Sequence, residues 1–332
     1  MKTALKVVLG LVLLLVVVAG AVYLWASLKD RALLARTIAT HTVDFPVPFP
    51  LTPAEVDELR RDSTASGTDS VDVDLASVAL ERALARGEHL VNARYVCVEC
   101  HGNDFGGGVM VDDPMIGRIL GPNITAGEGG RTAAFTPSDW DRIVRHGVRS
   151  DGRPAAMPSE DFQGMSDQEL SDIVAYITSR PPVAATVPPV TLGPLGTVLM
   201  AVGQLPLSAD RIADHDRAHA VSPPTSEPTA EFGRHLANVC AGCHGPDFSG
   251  GAVPGGDPSW PPAANLTPHA DGLAGWTYEH FVAALRTAKR PDGSDLRPPM
   301  SQIVPYGQRM TDVEVQALWA YLQSLPALPD AK

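Results

Sequence analysis

The sequence predicts an all-α protein of two tandem, homologous domains behind a single N-terminal transmembrane helix. Three observations carry that prediction: an uncharged 22-residue stretch from Val7 to Leu28, a set of motifs recurring after about 143 residues, and helical apolar stripes without any convincing strand alternation. With 332 residues, 44% of them hydrophobic and 19% charged, the chain can bury two cores and is not a disordered protein. Its 26 basic and 38 acidic residues leave a formal charge of −12, and no Lys/Arg block forms the stripe that phosphate backbones need, so no nucleic-acid partner is expected. Thirty Gly and thirty Pro favour short elements joined by ordered loops.

The Val7 to Leu28 stretch is long enough to cross a bilayer as a helix. Lys2 and Lys6 precede it, Lys29 and Arg31 follow it, and Tyr23 and Trp25 lie where amphipathic rings favour the interface. Ala19-Gly20-Ala21 would suit a cleaved signal peptide, but the apolar part exceeds the usual h-region of about 7–15 residues, so an uncleaved anchor over residues 1–29 is the reading adopted. Residues 30–76, with Pro46, Pro48, Pro50 and Pro53 and then a polar run from Asp62 to Ser70, show no helical period and read as a tether.

The first domain spans 77–182 and the second 227–326. Cys97-Val98-Glu99-Cys100-His101-Gly102 is answered by Cys240-Ala241-Gly242-Cys243-His244-Gly245, and Asp104-Phe105 by Asp247-Phe248. Asn123-Ile124-Thr125 is answered by Asn265-Leu266-Thr267. Ser166-x-x-Glu169 and Thr311-x-x-Glu314 are capping boxes, each opening a terminal helix. Leu170, Ile173, Val174 and Ile177 form an i, i+3, i+4, i+7 stripe on the first, and Val315, Leu318, Trp319 and Leu322 on the second; Pro181 and Pro326 end them. Further helices are predicted near 77–93, 137–147, 229–241 and 277–288. The intervening 183–226 segment is Pro-rich and apolar; residues 181–209 carry no charge, but prolines break them into pieces too short to span, which predicts a linker laid across the domains.

In each Cys-x-x-Cys-His the thiols lie one helical turn apart with the imidazole beside them, the spacing by which a haem c is attached through two thioethers and bound at iron by the His. Zinc ribbons also pair such motifs, but about 15–20 residues apart, whereas 139 residues separate Cys100 from Cys240. A thioredoxin-like dithiol would need a βαβ context that the pattern lacks. The expected cofactors are therefore two covalently bound haem c groups, on Cys97 and Cys100 and on Cys240 and Cys243, with His101 and His244 as iron ligands.

Over roughly 77–182 and 227–326 the chain resembles the mono-haem cytochrome c module used twice, close in pattern to the cytochrome c subunits of membrane-bound gluconate and alcohol dehydrogenases. The resemblance implies a Met as sixth ligand before the last helix. The matching positions are Met157, in Ala156-Met157-Pro158, and Met300, in Pro299-Met300-Ser301, each 56 residues after its histidine, although the second lacks the following Pro. Met165 and Met310 also repeat, but immediately before the caps, where a packing role is expected. His89 and His235, in a repeated Gly-x-His-Leu, offer a bis-histidine alternative on the helices leading to the attachment motifs. Phe135, Trp140, Trp276 and Phe281 are expected to pack around the haems, and Asn123 and Asn265 to fix a loop near the haem edge.

The resemblance implies an electron carrier rather than an enzyme, anchored at the bacterial cytoplasmic membrane with its domains in the periplasm. Its partners would be a redox donor and acceptor, such as a dehydrogenase, another cytochrome, quinone or a terminal oxidase. Those dehydrogenase subunits usually carry three haem modules and this chain has two. The alternative is a dihaem enzyme, of peroxidase or thiosulfate-oxidising type, with one open haem site.

Overall fold

In the computed structural model, which describes residues 2–65, 74–257 and 259–331, the apolar stretch lies within helix α1 (Lys2–Ala35). Its most apolar 18-residue window has a mean hydropathy of 3.0 and is wholly exposed, so α1 is long and apolar enough to cross a membrane. Beyond it, residues 36–50 are not a loose tether but an extended strap on the first domain. Ile38 donates its N–H to Gly152 O at 2.9 Å, Ser171 Oγ donates to Pro46 O at 2.7 Å, and Phe45 is buried in the domain core.

A further departure is helix α2 (Pro53–Ala65), in a segment without a helical hydrophobic period. Its face is mostly polar, so periodicity could not reveal it; the Thr52 N–H and Oγ1–H both donate to Glu55 Oε2 at 2.8 Å, Pro53 fits the first helical turn, and Arg82 pairs with Glu55 at 2.8 Å. The part of the predicted tether at 66–73 lies outside the described residues.

The first domain then runs α3 (Leu75–His89), a π-helical turn at Leu90–Arg94, α4 (Val98–His101), β1 (Gly108–Asp113), β2 (Gly117–Gly121), α5 (Pro137–His146) and α6 (Asp167–Ser179). After β3 (Thr191–Leu192), α7 (Pro194–Ala201) and α8 (Ser208–Arg211), the second domain runs α9 (Ala230–Leu236), α10 (Ala241–His244), α11 (Tyr278–Thr287), α12 (Val304–Gly307) and α13 (Asp312–Ser324). Both predicted capping boxes form: Ser166 Oγ accepts from the Glu169 N–H at 3.3 Å, and Thr311 Oγ1 from the Glu314 N–H at 3.2 Å.

One helix crossing organises each domain, α3 on α6 and α9 on α13. Both crossings need a glycine, because a Cβ on Gly87 would lie 2.2 Å from Asp172 O and one on Gly233 would lie 1.9 Å from Ala317 O. The terminal-helix stripes fill the two cores: Leu170, Ile173, Val174 and Ile177 in one, Val315, Leu318 and Leu322 in the other, with Trp319 packed alongside.

The small antiparallel sheet β1-β2-β3 has no counterpart among the described residues of the second domain, where only isolated bridges such as Gly251 to Ala263 occur. Its strands are short, glycine-bounded and bulged at Val109/Val111, which hid them from alternation. They form because the hairpin packs on the α4 turn: Cβ atoms on Gly108 and Gly121 would lie 2.6 and 1.8 Å from Cys100 O. The apolar linker folds over the first domain and α1, with β3 completing the sheet and α7 packing along α1.

The two domains meet through a reciprocal polar contact. His89 of the first bonds Glu314 of the second at 2.8 Å, and His235 of the second bonds Glu169 of the first at 2.8 Å. Arg94 lies between them, 3.2 Å from Glu169 and 3.5 Å from Glu314. The histidines that offered a bis-histidine alternative thus reach the opposite domain's capping glutamate.

Candidate functional site

Each attachment motif sits on a single helical turn followed by a glycine in the left-handed region, Gly102 (φ 78°) after α4 and Gly245 (φ 80°) after α10. After that reversal the Gly107 N–H donates to His101 O at 2.9 Å and the Gly250 N–H to His244 O at 3.0 Å. His101 Nδ1 bonds Pro122 O at 2.9 Å and His244 Nδ1 bonds Ala264 O at 2.7 Å. Since a carbonyl only accepts, both Nδ1 atoms carry the proton and both Nε2 atoms keep a lone pair. Desolvation lowers both imidazole pKa values, against the raising effect of the carbonyl bond, which favours the neutral form a metal requires.

The accepting carbonyl is held by the residue that follows it. Asn123 Oδ1 accepts from the N–H and Oγ1 of Thr125 at 2.9 and 2.8 Å, and its Nδ2 donates to Val183 O at 2.8 Å. Asn265 Oδ1 accepts from the N–H and Oγ1 of Thr267 at 2.8 and 2.7 Å, and its Nδ2 donates to Leu328 O at 2.8 Å. Each clip ties the histidine's loop to the chain that leaves the terminal helix, so imidazole orientation depends on the whole domain being closed.

Cys97, Met157 and Phe135 pack against the first apolar cluster, which contains Trp140; Cys240, Met300 and Trp276 pack against the second, which contains Phe281. Met165 is fully buried and Met310 partly so, and their carbonyls accept from the equivalent residues Arg145 and Arg286, both at 3.1 Å. Although Cys97 and Cys240 keep some exposed surface, desolvation pushes both thiols up to about 12. A redox dithiol depends on a lowered thiol pKa, so these environments oppose that use and suit thioether attachment. Apolar walls, paired sulfurs and a lone pair on a fixed imidazole together fit a covalently held haem.

The first domain's Met157 turn continues into a 3₁₀ turn at Ser159–Asp161 that touches the second domain's attachment motif. A Cβ on Gly242, between the two cysteines, would lie 2.3 Å from Asp161 Oδ1. Burial, reinforced by Glu160 and opposed by Arg211, pushes the Asp161 carboxyl up to about 7. Sequence reasoning missed Asp161 and Arg94, because neither repeats in the other domain; the one available signal was the contrast of Gly242 with its counterpart Glu99.

Residues 82–177 match the family model described as cytochrome c oxidase, cbb3-type, subunit III, and residues 230–326 match the model described as cytochrome c. The cytochrome c subunit of alcohol dehydrogenase (quinone) from Gluconobacter oxydans (strain 621H) is 28% identical over 285 residues, covering 77% of this chain and 58% of that protein. The fructose dehydrogenase cytochrome subunit of Gluconobacter japonicus is 27% identical, covering 74% and 53%, and the gluconate 2-dehydrogenase cytochrome c subunit of Pantoea cypripedii is 28% identical, covering 75% and 61%. The chain therefore spans little more than half the length of these relatives. With a cytochrome c match over each repeated half and the attachment chemistry present in both, the chain belongs to the c-type cytochromes, as a two-domain member carrying two covalently bound haem c groups.

Proposed function

We propose that this cytochrome is an electron carrier in which Cys97 and Cys100, and Cys240 and Cys243, would hold the two haems through thioethers, and His101 with Met157, and His244 with Met300, would supply the iron ligands, the histidines through Nε2. The observation that carries the reading is one construction made twice: an imidazole fixed through Nδ1 by the carbonyl before an Asn-x-Thr clip, with a Met 56 residues later on the same apolar cluster. A bound haem supplies one-electron exchange between ferric and ferrous iron. The protein's part would be to supply a His and a Met to each iron, leaving no position for substrate, and to surround the site with the apolar side chains of the two clusters. The close approach of Asp161 to Gly242 brings the turn after Met157 against the second domain's Cys240–Cys243 motif.

Residues 1–29 are assigned as the anchor in the bacterial cytoplasmic membrane, with both domains on the periplasmic side. The relatives' names support a dehydrogenase as one redox partner; the other partner in this reading is a membrane quinone, another cytochrome or a terminal oxidase. The test is the absorption spectrum of the purified protein, oxidised and reduced, with carbon monoxide added to the reduced form. The wild type is expected to show the weak far-red band of Met-ligated ferric haem and to ignore carbon monoxide, while Met157→Ala and Met300→Ala each open one haem. Carbon monoxide binding to half of the wild-type haem would refute the carrier and favour the enzyme.

A further inference from the structure

We propose that His41, Asp141, His146 and His219 bind one zinc ion that fastens the strap and the interdomain linker to the first domain. The four side chains come from three parts of the chain: His41 from the strap after α1, Asp141 and His146 from α5, and His219 from the segment before α9. One ligand atom from each lies within 4.8 Å of all the others. Asp141 and His146 are completely buried, the His219 side chain is 5% exposed and that of His41 17%.

The hydrogen bonds fix which nitrogens face inward. His41 Nδ1 bonds His215 O at 2.8 Å and His219 Nδ1 bonds Gln163 O at 3.1 Å, so both carry their proton on Nδ1. His215 Nε2 bonds Ala209 O at 3.1 Å, which makes His215 Nδ1 an acceptor; it takes the proton of His146 Nδ1 at 3.1 Å. Three Nε2 lone pairs consequently converge on a carboxylate. Two of the converging atoms, His41 Nε2 and Asp141 Oδ2, are buried without a hydrogen-bond partner. Packing alone would leave these buried acceptors facing one another, an arrangement that costs free energy and that a cation between them would relieve.

The separations suit zinc. His219 Nε2 is 3.4 Å from His146 Nε2, His146 Nε2 is 3.5 Å from Asp141 Oδ2, and His41 Nε2 is 3.9 Å from Asp141 Oδ2. Tetrahedral zinc with bonds of about 2.0–2.1 Å holds its ligand atoms about 3.4 Å apart. Four protein ligands close the coordination sphere, as structural zinc sites do, and the carbonyl bonds to Nδ1 supply the outer support such histidines use. Arg145 neighbours the cluster through Asp141 Oδ1 at 2.7 Å, but it is also paired with Asp167 at 2.8 Å, so two carboxylates offset its charge and part of the ion's.

The test is elemental analysis of the full haem-loaded chain after incubation with one equivalent of zinc chloride and gel filtration. One zinc per two haem irons is expected, with X-ray absorption at the zinc edge showing histidine nitrogens at about 2.0 Å. His219→Gln and His41→Gln should each weaken zinc retention by more than about 100-fold, since even outer-shell partners contribute 10–100-fold, while leaving the haem spectrum unchanged. A chelator should lower the melting temperature of the wild type and not that of His219→Gln. Zinc below a tenth of an equivalent in the loaded wild type, retention unaltered in both variants, or a zinc-edge spectrum without imidazole features overturns the assignment. The zinc content and zinc-edge spectrum of the wild type decide the matter even if a variant fails to fold, and both are independent of haem ligation.

Discussion

Replacing Glu169 by Gln tests how the two domains are joined. Glu169 is 2% exposed, closes the α6 capping box, accepts from Tyr95 Oη at 3.2 Å and His235 Nε2 at 2.8 Å, and faces Arg94 at 3.2 Å. Burial alone would raise its pKa, but the His235 bond, the Arg94 and His235 charges and the Ser166 N–H together hold it down at about 2, against an ordinary 4.5. At about 1.4 kcal/mol per pH unit, that depression is worth roughly 3 kcal/mol. Because the folded pKa is the lower one, the stabilisation is complete above about pH 4.5 and disappears as pH falls through about 2. Glu169→Gln keeps the shape and an oxygen for the cap while removing the charge. Urea unfolding of the haem-loaded chain at pH 7, followed by far-UV circular dichroism, should show a loss of about 3 kcal/mol, in the range for breaking a buried pair. The double variant with His235→Gln should lose about 1–2 kcal/mol less than the sum of the singles. A loss under about 0.5 kcal/mol at pH 7, or one that persists undiminished at pH 2, would refute the reasoning.

Asp161 gives the opposite pH sign: its folded pKa is raised to about 7, so the folded state holds a proton that the unfolded chain has lost, and stability declines as pH rises from about 4 to 7. Asp161→Asn should remove that slope and gain about 1–3 kcal/mol at pH 8, after discounting for partial exposure, as read from denaturant midpoints at pH 5 and pH 8. Gly87→Ala and Gly233→Ala should each destabilise by about 1–3 kcal/mol in thermal melts, because the added methyl meets a backbone carbonyl that cannot move aside. Asn265→Ala should loosen the loop that orients His244 and leave the first haem unaffected, seen as a change in half of the haem signal in resonance Raman spectra; an effect shared equally by both haems would contradict the separate clips.

The features legible in the sequence were those whose chemistry is local. A haem attachment motif must be contiguous, a capping box spans four residues and a terminal stripe spans two turns, so the repeated domains and their closing helices could be read directly. Helix α2 escaped because its support is a cap and an ion pair rather than an apolar face. The β1-β2 hairpin escaped because close backbone packing on Cys100 stabilises it in place of side-chain alternation. The contacts of His89 with Glu314 and His235 with Glu169 cross 225 and 66 residues, and His41 lies 174 residues from His215, whose carbonyl orients it. Such partners carry no spacing signal. The repetition of His89 and His235 was visible, but whether it served a haem or a neighbouring domain depended on how the halves face each other.

The strap bears on how the carrier, anchored as proposed, would meet a partner. Fifteen free residues between a membrane helix and a folded domain could extend about 50 Å, letting the domain turn through every orientation. Here residues 36–50 are bonded along the first domain, Arg36 is paired with Asp210, and α7 packs along α1. On the proposed anchoring α1 would therefore act as a stalk, with the second domain joined to the first through the His89–Glu314 and His235–Glu169 contacts on either side of Arg94. Encounter would then become a question of azimuth, in which rotation about the stalk presents the same two faces at constant height and a partner of the wrong stature would not meet them.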